Sequence, residues 1–351
     1  MNYKNPNPAM PLAIAIALAL GAAGYASAAE APARSGRAAP AAAAPAAPAA
    51  QLGLMPVQGN LYMVTGLDVN VAVQIGEESA LFVDTPPPAR LEQVRELIAQ
   101  KTSRPIRYVI NTSALPDHVS GDEAIQLAGT SEAALANMRR MGIAAGGLAG
   151  FTADGVQILA HENVLNRITN RSKPAIPGAS VSAEYYLPTK DFFMNGESIV
   201  VTHTPNAITD GDSLVYFRRS DVLATGDLFT PGRFPAINLE EGGSINGLIS
   251  AVNKALEITV PASFQERGTY VIPGHGRLCD EADLAEFREM ITVVRDRVQA
   301  MINDKKTLQQ VQAARPALDY ENTHGKNGGP SAQAFVETVY KSLTAPPKGA
   351  N

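Results

Sequence analysis

The side chains of this chain that could bind a metal ion are few. The sequence contains five histidines and a single cysteine, Cys279. Structural zinc sites usually take four protein ligands, so a histidine-based site requires that most of these histidines converge. The single cysteine excludes an internal disulfide framework and a zinc site made of cysteines alone.

Polar motifs stand directly after runs of β-forming residues. The first motif covers residues 111–118, the second is Gly-Asp at 226–227, and the third is Pro-Gly-His-Gly at 273–276. Polar side chains that leave the ends of buried strands are typical of functional sites carried by loops on a rigid scaffold. These motifs are therefore the first places to look for chemistry.

The elements that would position these motifs alternate between strands and helices. Each half of the chain shows short β-rich runs, then an amphipathic helical pattern, then a further strand. Two such halves predict two packed sheets covered by helices on the outside. The predicted strands are 61–65, 69–75, 80–83, 106–110, 156–160, 198–203, 213–217, 222–225 and 269–272, and the predicted helices are 90–101, 245–257, 282–302 and 333–343.

Length, charge and composition narrow the function classes. The chain has 351 residues, a formal charge of −5 and 45% hydrophobic residues, which allows a large α/β domain. The slightly acidic balance, with no basic stripe in the sequence to neutralise phosphates, argues against a nucleic-acid partner, so we expect none. A small-molecule substrate or ligand is the expected partner, and the sequence does not specify the oligomeric state.

The N-terminus reads as an export signal followed by a spacer. Residues 1–28 combine Lys4, a short apolar run and the small-x-small pattern of Ala26-Ser27-Ala28, which predicts a signal peptide cut after Ala28. The alternative is an uncleaved membrane anchor, although the apolar run is shorter than the roughly 20 residues of a span. Residues 29–52 are rich in Ala and Pro and predict a disordered linker, and residues 53–346 form the predicted folded domain. We therefore expect a periplasmic or secreted protein without a membrane partner after cleavage.

Taken in order, the polar motifs resemble those of the metallo-β-lactamase superfamily. The matching segments are residues 111–121, Thr-Asp-Gly-Asp-Ser at 209–213, Gly-Asp at 226–227 and Pro-Gly-His-Gly at 273–276, within a resemblance that covers residues 57–345. The exported metallo-hydrolases of the superfamily are more similar than its antibiotic-resistance enzymes. The resemblance implies an α/β (α+β) fold of the metallo-β-lactamase type, a four-layer αββα sandwich with its metal centre at one edge of the paired sheets.

The resemblance implies a metal centre with two subsites, and this sequence has the ligands of only one of them. One of its two subsites has all of its ligands, which are Asp117, His118, Asp227 and His275. The other takes three histidines in the family, and here those positions hold Ser113, Leu115 and Ile208. Leu and Ile cannot bind a metal, and a neutral Ser hydroxyl is a poor zinc ligand. The resemblance therefore implies a degenerate site with one zinc ion.

The first functional hypothesis is a one-metal hydrolase. In this hypothesis a zinc-bound water attacks an ester, thioester or amide-like bond of a small molecule. The catalytic candidates are Asp117 and Asp227, because a carboxylate there could orient the water or accept its proton.

The second hypothesis is a metal-free binding or accessory protein, a pseudoenzyme on the same fold. Asp117 could cap a helix start, and His275 could belong to a tight turn between glycines. Leu115 and Ile208 would then fill the lost metal pocket. An open cleft on which the four polar side chains converge favours the hydrolase, and a cleft closed by the two apolar residues favours the pseudoenzyme.

The remaining histidines are expected to serve structure. His203 ends a predicted strand, and His161 stands at a predicted helix start. His324 lies beside the glycine-rich stretch 325–330 and is expected to be solvated.

Overall fold

The computed structural model describes residues 51–129, 155–170 and 183–345. The predicted signal peptide and residues 29–50 of the predicted linker lie outside these ranges, so both remain predictions. None of the helices in the described ranges combines the length and apolarity of a membrane span.

The first sheet has seven strands that lie in chain order. Its first four strands form an antiparallel meander, and the strands from the fourth to the seventh pair in parallel. The strands are β1 Gly53–Pro56, β2 Leu61–Thr65, β3 Val71–Ile75, β4 Ala80–Val83, β5 Ile106–Ile110, β6 Gln157–His161 and β7 Ala183–Tyr185.

The second sheet has five strands in the order β12-β11-β10-β9-β8. Antiparallel pairing joins β8 to β11 in sequence, and β12 then pairs in parallel with β11. Each sheet therefore gains a parallel strand after a helical crossover, which brings the carboxyl ends of those strands to one edge. The strands are β8 Thr189–Met194, β9 Glu197–His203, β10 Ser213–Phe217, β11 Val222–Gly226 and β12 Tyr270–Pro273.

The helices begin with local signals that the sequence supplies. Pro88 takes the first turn of the first helix, Ser244 caps another, and Asp280 and Asp283 form a capping box at the longest. The helices are α1 Pro88–Ala99, α2 Pro116–Val119, α3 Asp122–Ala128, α4 Glu162–Asn170, α5 Ile245–Ile258, α6 Glu281–Asn303, α7 Leu308–Ala313, α8 Glu321–His324 and α9 Ala332–Thr344, and Leu318–Tyr320 forms a short 3-10 turn.

Three apolar layers separate four layers of secondary structure. Alternate residues of a strand point to opposite faces, so Leu61 and Met63 of β2 lie in the layer between the sheets, while Val64 faces the helices. The outer layer of the first sheet packs against α1 and α3, and that of the second sheet packs against α5, α6 and α9. The fold is therefore the α/β four-layer αββα sandwich that the sequence predicted.

The sequence pattern located most elements but missed some strands. Predicted strand 69–75 begins at Val71, and predicted helix 90–101 begins two residues earlier at Pro88. The short edge strands β1, β7 and β8 were not predicted. The pattern of β8, TKDFFM, is largely exposed, so it lacks the alternation that marks a half-buried strand.

Candidate metal centre

Four side chains from both sheets meet at one edge of the sandwich. Asp117 and His118 lie in α2, which follows β5 of the first sheet, whereas Asp227 follows β11 and His275 follows β12 of the second. One ligand atom from each of the four side chains lies within 4.8 Å of the others. The structure thus brings together all four residues that were predicted as metal ligands.

His118 is held in one orientation by Asp84, a residue directly after β4. The Nδ1 atom of His118 lies 2.7 Å from Oδ2 of Asp84, and both side chains are buried. A carboxylate only accepts hydrogen bonds, so Nδ1 donates and the neutral ring keeps its lone pair on Nε2. Nε2 faces Asp227, whose Oδ1 is 3.3 Å away.

His275 is oriented in the same way by a backbone carbonyl. Its Nδ1 atom donates to the carbonyl oxygen of Asp68 at 2.6 Å. Its Nε2 atom lies 3.2 Å from Oδ2 of Asp117 and 3.2 Å from Oδ1 of Asp227. Both histidines therefore direct Nε2 at Asp227, and His275 also faces Asp117, an arrangement that matches histidine ligands with a carboxylate or carbonyl behind them.

Asn70 holds the loop that carries His275. Its side-chain amide donates to the carbonyl oxygens of Pro273 at 2.9 Å and Gly276 at 3.0 Å, and its backbone N–H donates to Gly274. Because Asn70 lies between β2 and β3, the first sheet fixes the position of a loop from the second.

Two atoms at the centre of the cluster have no hydrogen-bond partner among the residues that the structure describes. They are Nε2 of His118 and Oδ1 of Asp227, both buried. In the neutral tautomer set by Asp84 both atoms are acceptors, so a positive charge, carried by a proton or by a metal ion, is needed between them. The donor set of two imidazoles and two carboxylates suits zinc in number and type. The residues present therefore fit a metal ion.

The pKa values of the cluster residues are shifted in the direction that favours charged histidines and a charged Asp227. Burial opposes the shift, but the charges of Asp84 and Asp227 raise the pKa of His118 well above its ordinary value. The carboxylates of Asp117 and Asp227, each 3.2 Å from its Nε2, raise the pKa of His275 to about 9. Against the effect of its own burial, Asp227 has a pKa well below its usual range because of His118 and His275. In the absence of a metal, protons on the histidines supply the positive charge.

The close approach of the two loops requires glycine at 274. A Cβ on Gly274 would lie 2.4 Å from Oδ1 of Asp227 and 2.7 Å from the backbone carbon of Gly226. Any larger residue would push the loop of His275 away from Asp227. The Pro-Gly-His-Gly motif thus has a steric reason as well as a ligand.

The three positions where the resemblance implies histidine are buried or partly buried in the protein. Ile208 is fully buried and Leu115 partly buried in the apolar layer beneath α5 and α6. Ser113 is buried, and its Oγ accepts a hydrogen bond from the backbone N–H of Leu115 at 3.2 Å. The side chain of Asp117 remains 47% exposed, so the four-residue cluster is reached from solvent. Asp117 is also not a helix cap, because Leu115 occupies the cap position of α2.

The other histidines lie outside the cluster. His161 and His203 stack with ring centroids 3.6 Å apart, and burial together with His203 lowers the pKa of His161 to about 4. His203 contacts the carbonyl oxygen of Asp210, whose carboxylate makes two hydrogen bonds with Arg167. The expectation that His324 is solvated was wrong, since its side chain is buried against Phe234.

Sequence reasoning missed Asp84, Asp68 and Asn70. Asp84 had a usable signal, because it ends a fully buried strand, ALFV, and precedes three prolines. Asp68 contributes only its backbone carbonyl, which no side-chain pattern could show. Asn70 acts across more than 200 residues of sequence, so only the fold reveals its role.

Comparisons with known proteins identify structures with a similar fold but no relative of high sequence identity. No family model matches the chain, and no curated protein matches it. Among solved structures, a double mutant of the sec-alkyl sulfatase PisA1 is similar over 85% of this chain and 51% of its own, at 16% identity and TM-score 0.59. The stereoselective inverting sec-alkylsulfatase Pisa1 from Pseudomonas sp. gives the same identity and coverage with a TM-score of 0.58.

A metallo-β-lactamase from Pontibacter korlensis is also similar, over 69% of this chain and 99% of its own length, at 13% identity and TM-score 0.49. This chain spans about half the length of the sulfatase chains. Together with the four layers and their order, the likeness to the sulfatases shows that the chain has the metallo-β-lactamase fold.

Proposed function

We propose that the protein is a metal-dependent hydrolase with one zinc ion held by Asp117, His118, Asp227 and His275. The observation that carries the proposal is the pair of buried, unpartnered acceptor atoms, Nε2 of His118 and Oδ1 of Asp227, that face each other across the cluster. When bound there, zinc lowers the pKa of water and polarises the bond to be cleaved. The proposed substrates are esters, thioesters or amide-like compounds.

The chain's own residues divide the remaining work. Asp84 and the carbonyl of Asp68 fix the two imidazole rings, so that Nε2 of each is available. Asp117 is the proposed proton acceptor, because its side chain is 47% exposed while that of Asp227 is 16% exposed and faces both histidines. Ile208 and Leu115 replace the ligands of a second ion by apolar packing.

The test is metal content and hydrolysis in one preparation. The protein from residue 29 onward should bind about one equivalent of zinc, and a variant with Asp117→Ala and His275→Ala should bind none. Both substituted side chains reach solvent, so the variant should fold. The assay should include a carboxylic ester, a thioester and a secondary alkyl sulfate, the last because similar structures are alkyl sulfatases. Equal, sub-stoichiometric zinc in parent and variant would refute the proposal.

A second candidate function is a metal-free binding or accessory protein. It is favoured by Leu115 and Ile208, which place apolar side chains where the resemblance implies ligands. This candidate predicts no zinc retention and no hydrolysis of any of the three substrates by the parent protein. Zinc retention without hydrolysis would keep the metal site but remove the catalytic part of the first proposal.

We also propose that the protein acts outside the cytoplasm, in the periplasm or the medium. The support is the sequence of residues 1–28 and the Ala- and Pro-rich residues 29–52, which match a cleaved signal and a spacer.

A further inference from the structure

A cavity of about 450 Å³ lies beside the loop of His275. Gly276, the residue after His275, forms part of its wall, as does Pro231 from the loop after Asp227. The first turns of α6 and the residues Thr323, His324 and Asn327 complete the lining. If the cluster is a hydrolytic centre, as proposed above, this cavity is placed to receive a part of the substrate that is not cleaved.

One of the two arginines in the cavity wall is already neutralised. The guanidinium of Arg277 makes two hydrogen bonds with the carboxylate of Asp283, at 2.9 Å and 2.5 Å. Asp283 is held in turn by its capping box with Asp280 at the start of α6. Such a bidentate pair leaves little charge for a ligand.

The other arginine, Arg233, has no such partner. It is half-buried, and no side chain or carbonyl among the described residues hydrogen-bonds or ion-pairs with its guanidinium. The guanidinium lies near Gly328, where a Cβ built on the glycine would be 3.8 Å from Cζ of Arg233. The donors of the guanidinium therefore remain available to a ligand.

The other ionisable groups of the cavity do not neutralise Arg233. Glu286 also lines the cavity, but it is exposed to solvent and makes no ion pair with Arg233. Burial lowers the pKa of His324, so this histidine is uncharged at neutral pH. Within the described lining, Arg233 is thus a cation that no carboxylate pairs with directly.

We propose that Arg233 binds a carboxylate group of the substrate in this cavity, and that the substrate is an ester or thioester carrying a free carboxylate away from the scissile bond. The planar guanidinium presents paired donors that match a carboxylate. Gly276, the residue after His275, forms part of the cavity wall, so the cavity adjoins the loop that carries a proposed ligand of the metal.

The first experiment measures binding without catalysis. Glutarate is titrated into the metal-free protein and into the variants Arg233→Gln, Arg233→Lys and Arg104→Gln, with folding checked by circular dichroism. Loss of a charge-assisted bidentate contact should weaken binding about 10-fold or more in Arg233→Gln. Arg233→Lys should lose less, because the charge remains.

Arg104→Gln is the matched control. Arg104 is exposed and precedes the start of β5, at the sheet edge opposite to α2, so its loss should leave glutarate binding unchanged. Unchanged binding in Arg233→Gln, or an equal loss in Arg104→Gln, would overturn the proposal.

The second experiment uses the zinc-loaded protein and two esters, p-nitrophenyl acetate and the mono-p-nitrophenyl ester of glutaric acid. Arg233→Gln should raise KM for the carboxylate-bearing ester about 10-fold and leave the acetate ester unaffected. An equal effect on both esters would contradict a binding role for Arg233. If the parent hydrolyses neither of these esters nor the thioester and alkyl sulfate named above, the proposed function fails, while the binding experiment still decides the role of Arg233.

Discussion

At the scale of single residues, the geometry of the cluster depends on residues that hydrogen-bond to the proposed ligands, such as Asp84. Asp84 has a left-handed backbone, with φ of 62°, which aspartate tolerates better than most residues. In that conformation its carboxylate accepts from the backbone N–H and hydroxyl of Thr112 as well as from His118. The orientation of His118 is therefore set by a buried network and not by the ligand loop alone.

Replacing Asp84 by asparagine tests this network. Asp84→Asn keeps the volume but removes the charge that fixes the ring of His118, so zinc affinity should fall about 10- to 100-fold. Competition with a chromophoric chelator measures the change.

Asp221→Asn provides the comparison. Asp221 also has positive φ and accepts hydrogen bonds from Tyr216 and Thr269, but it lies at the start of β11, away from the cluster. Its substitution should leave zinc affinity unchanged. An equal loss of affinity in both variants would mean that Asp84 acts only through general stability.

Asp122 should make stability depend on pH. Burial raises its pKa from 3.8 to about 7, against opposing hydrogen bonds from Asn111 and Thr85. The unfolded chain loses this proton near pH 3.8, so the stability that Asp122 contributes is complete below that pH and is lost as pH rises through about 7. Between pH 5 and 7 the slope should approach about 1.4 kcal/mol per pH unit.

Urea unfolding of the parent and of Asp122→Asn isolates this contribution. The variant carries no charge at this position at any pH, so the difference in free energy of unfolding should change with pH in favour of the variant as pH rises. Asp212 has its pKa raised in the same way and contributes equally to both proteins. Parallel curves for the two proteins would show that Asp122 does not titrate in this range.

At the scale of elements, two asparagines connect the sheets at opposite edges. Asn70 joins the β2–β3 loop to the loop after β12, and Asn195 joins the β8–β9 turn to Gln74 and Ser79 of the first sheet. Only Asn70 is next to the cluster. Comparing substitutions of the two asparagines therefore separates the general effect of joining the sheets from the specific effect of positioning His275.

Both asparagines should matter for stability, but only one for the metal. Asn70→Ala leaves the carbonyls of Pro273 and Gly276 without a donor, and Asn195→Ala removes similar bonds, so each should cost about 1–3 kcal/mol. Zinc affinity should fall in Asn70→Ala alone. Urea unfolding and chelator competition on both variants provide the measurements, and equal zinc affinities would contradict the assigned role of Asn70.

At the scale of the whole molecule, a metal ion at the cluster would link the two sheets. Two ligands come from the first sheet and two from the second, so binding should stabilise the sandwich against unfolding. At a free zinc concentration of 100 times Kd the gain is about 2.7 kcal/mol. Chelation by EDTA should therefore lower the Tm of the zinc-loaded parent by several degrees.

His275→Ala gives the control for chelation. The variant keeps Asp84, His118 and the core but loses one ligand, so EDTA should not change its Tm. A parent whose Tm is insensitive to EDTA and to added zinc would argue for the metal-free binding protein.

The predicted export signal is testable on the same scale. Cleavage after Ala28 should give a mature protein that begins at Ala29, because Ala26-Ser27-Ala28 has the pattern that signal peptidase recognises. N-terminal sequencing of the protein from the periplasm or medium reads this end directly. Retention of Met1 in a membrane fraction would instead indicate the uncleaved anchor.

Local strand and helix patterns in the sequence predicted two packed sheets covered by helices, with polar motifs at the strand ends, and the resemblance to the metallo-β-lactamase superfamily implied the four-layer order. The short strands β1, β7 and β8 escaped, since exposed or very short edge strands carry little periodicity. The ligand set itself came from the resemblance, which the geometry then supported by convergence.

Only the tertiary structure decided what surrounds these residues. The contacts of Asn70 with Pro273, of Asp68 with His275 and of Arg233 with its cavity join segments far apart in sequence, so no local pattern encodes them. The five histidines were known from the sequence, but their division into a cluster of two, a stacked pair and a buried single ring depends on which strand ends meet. That meeting is a property of the folded core, since long-range packing and not local preference sets the distances between the loops.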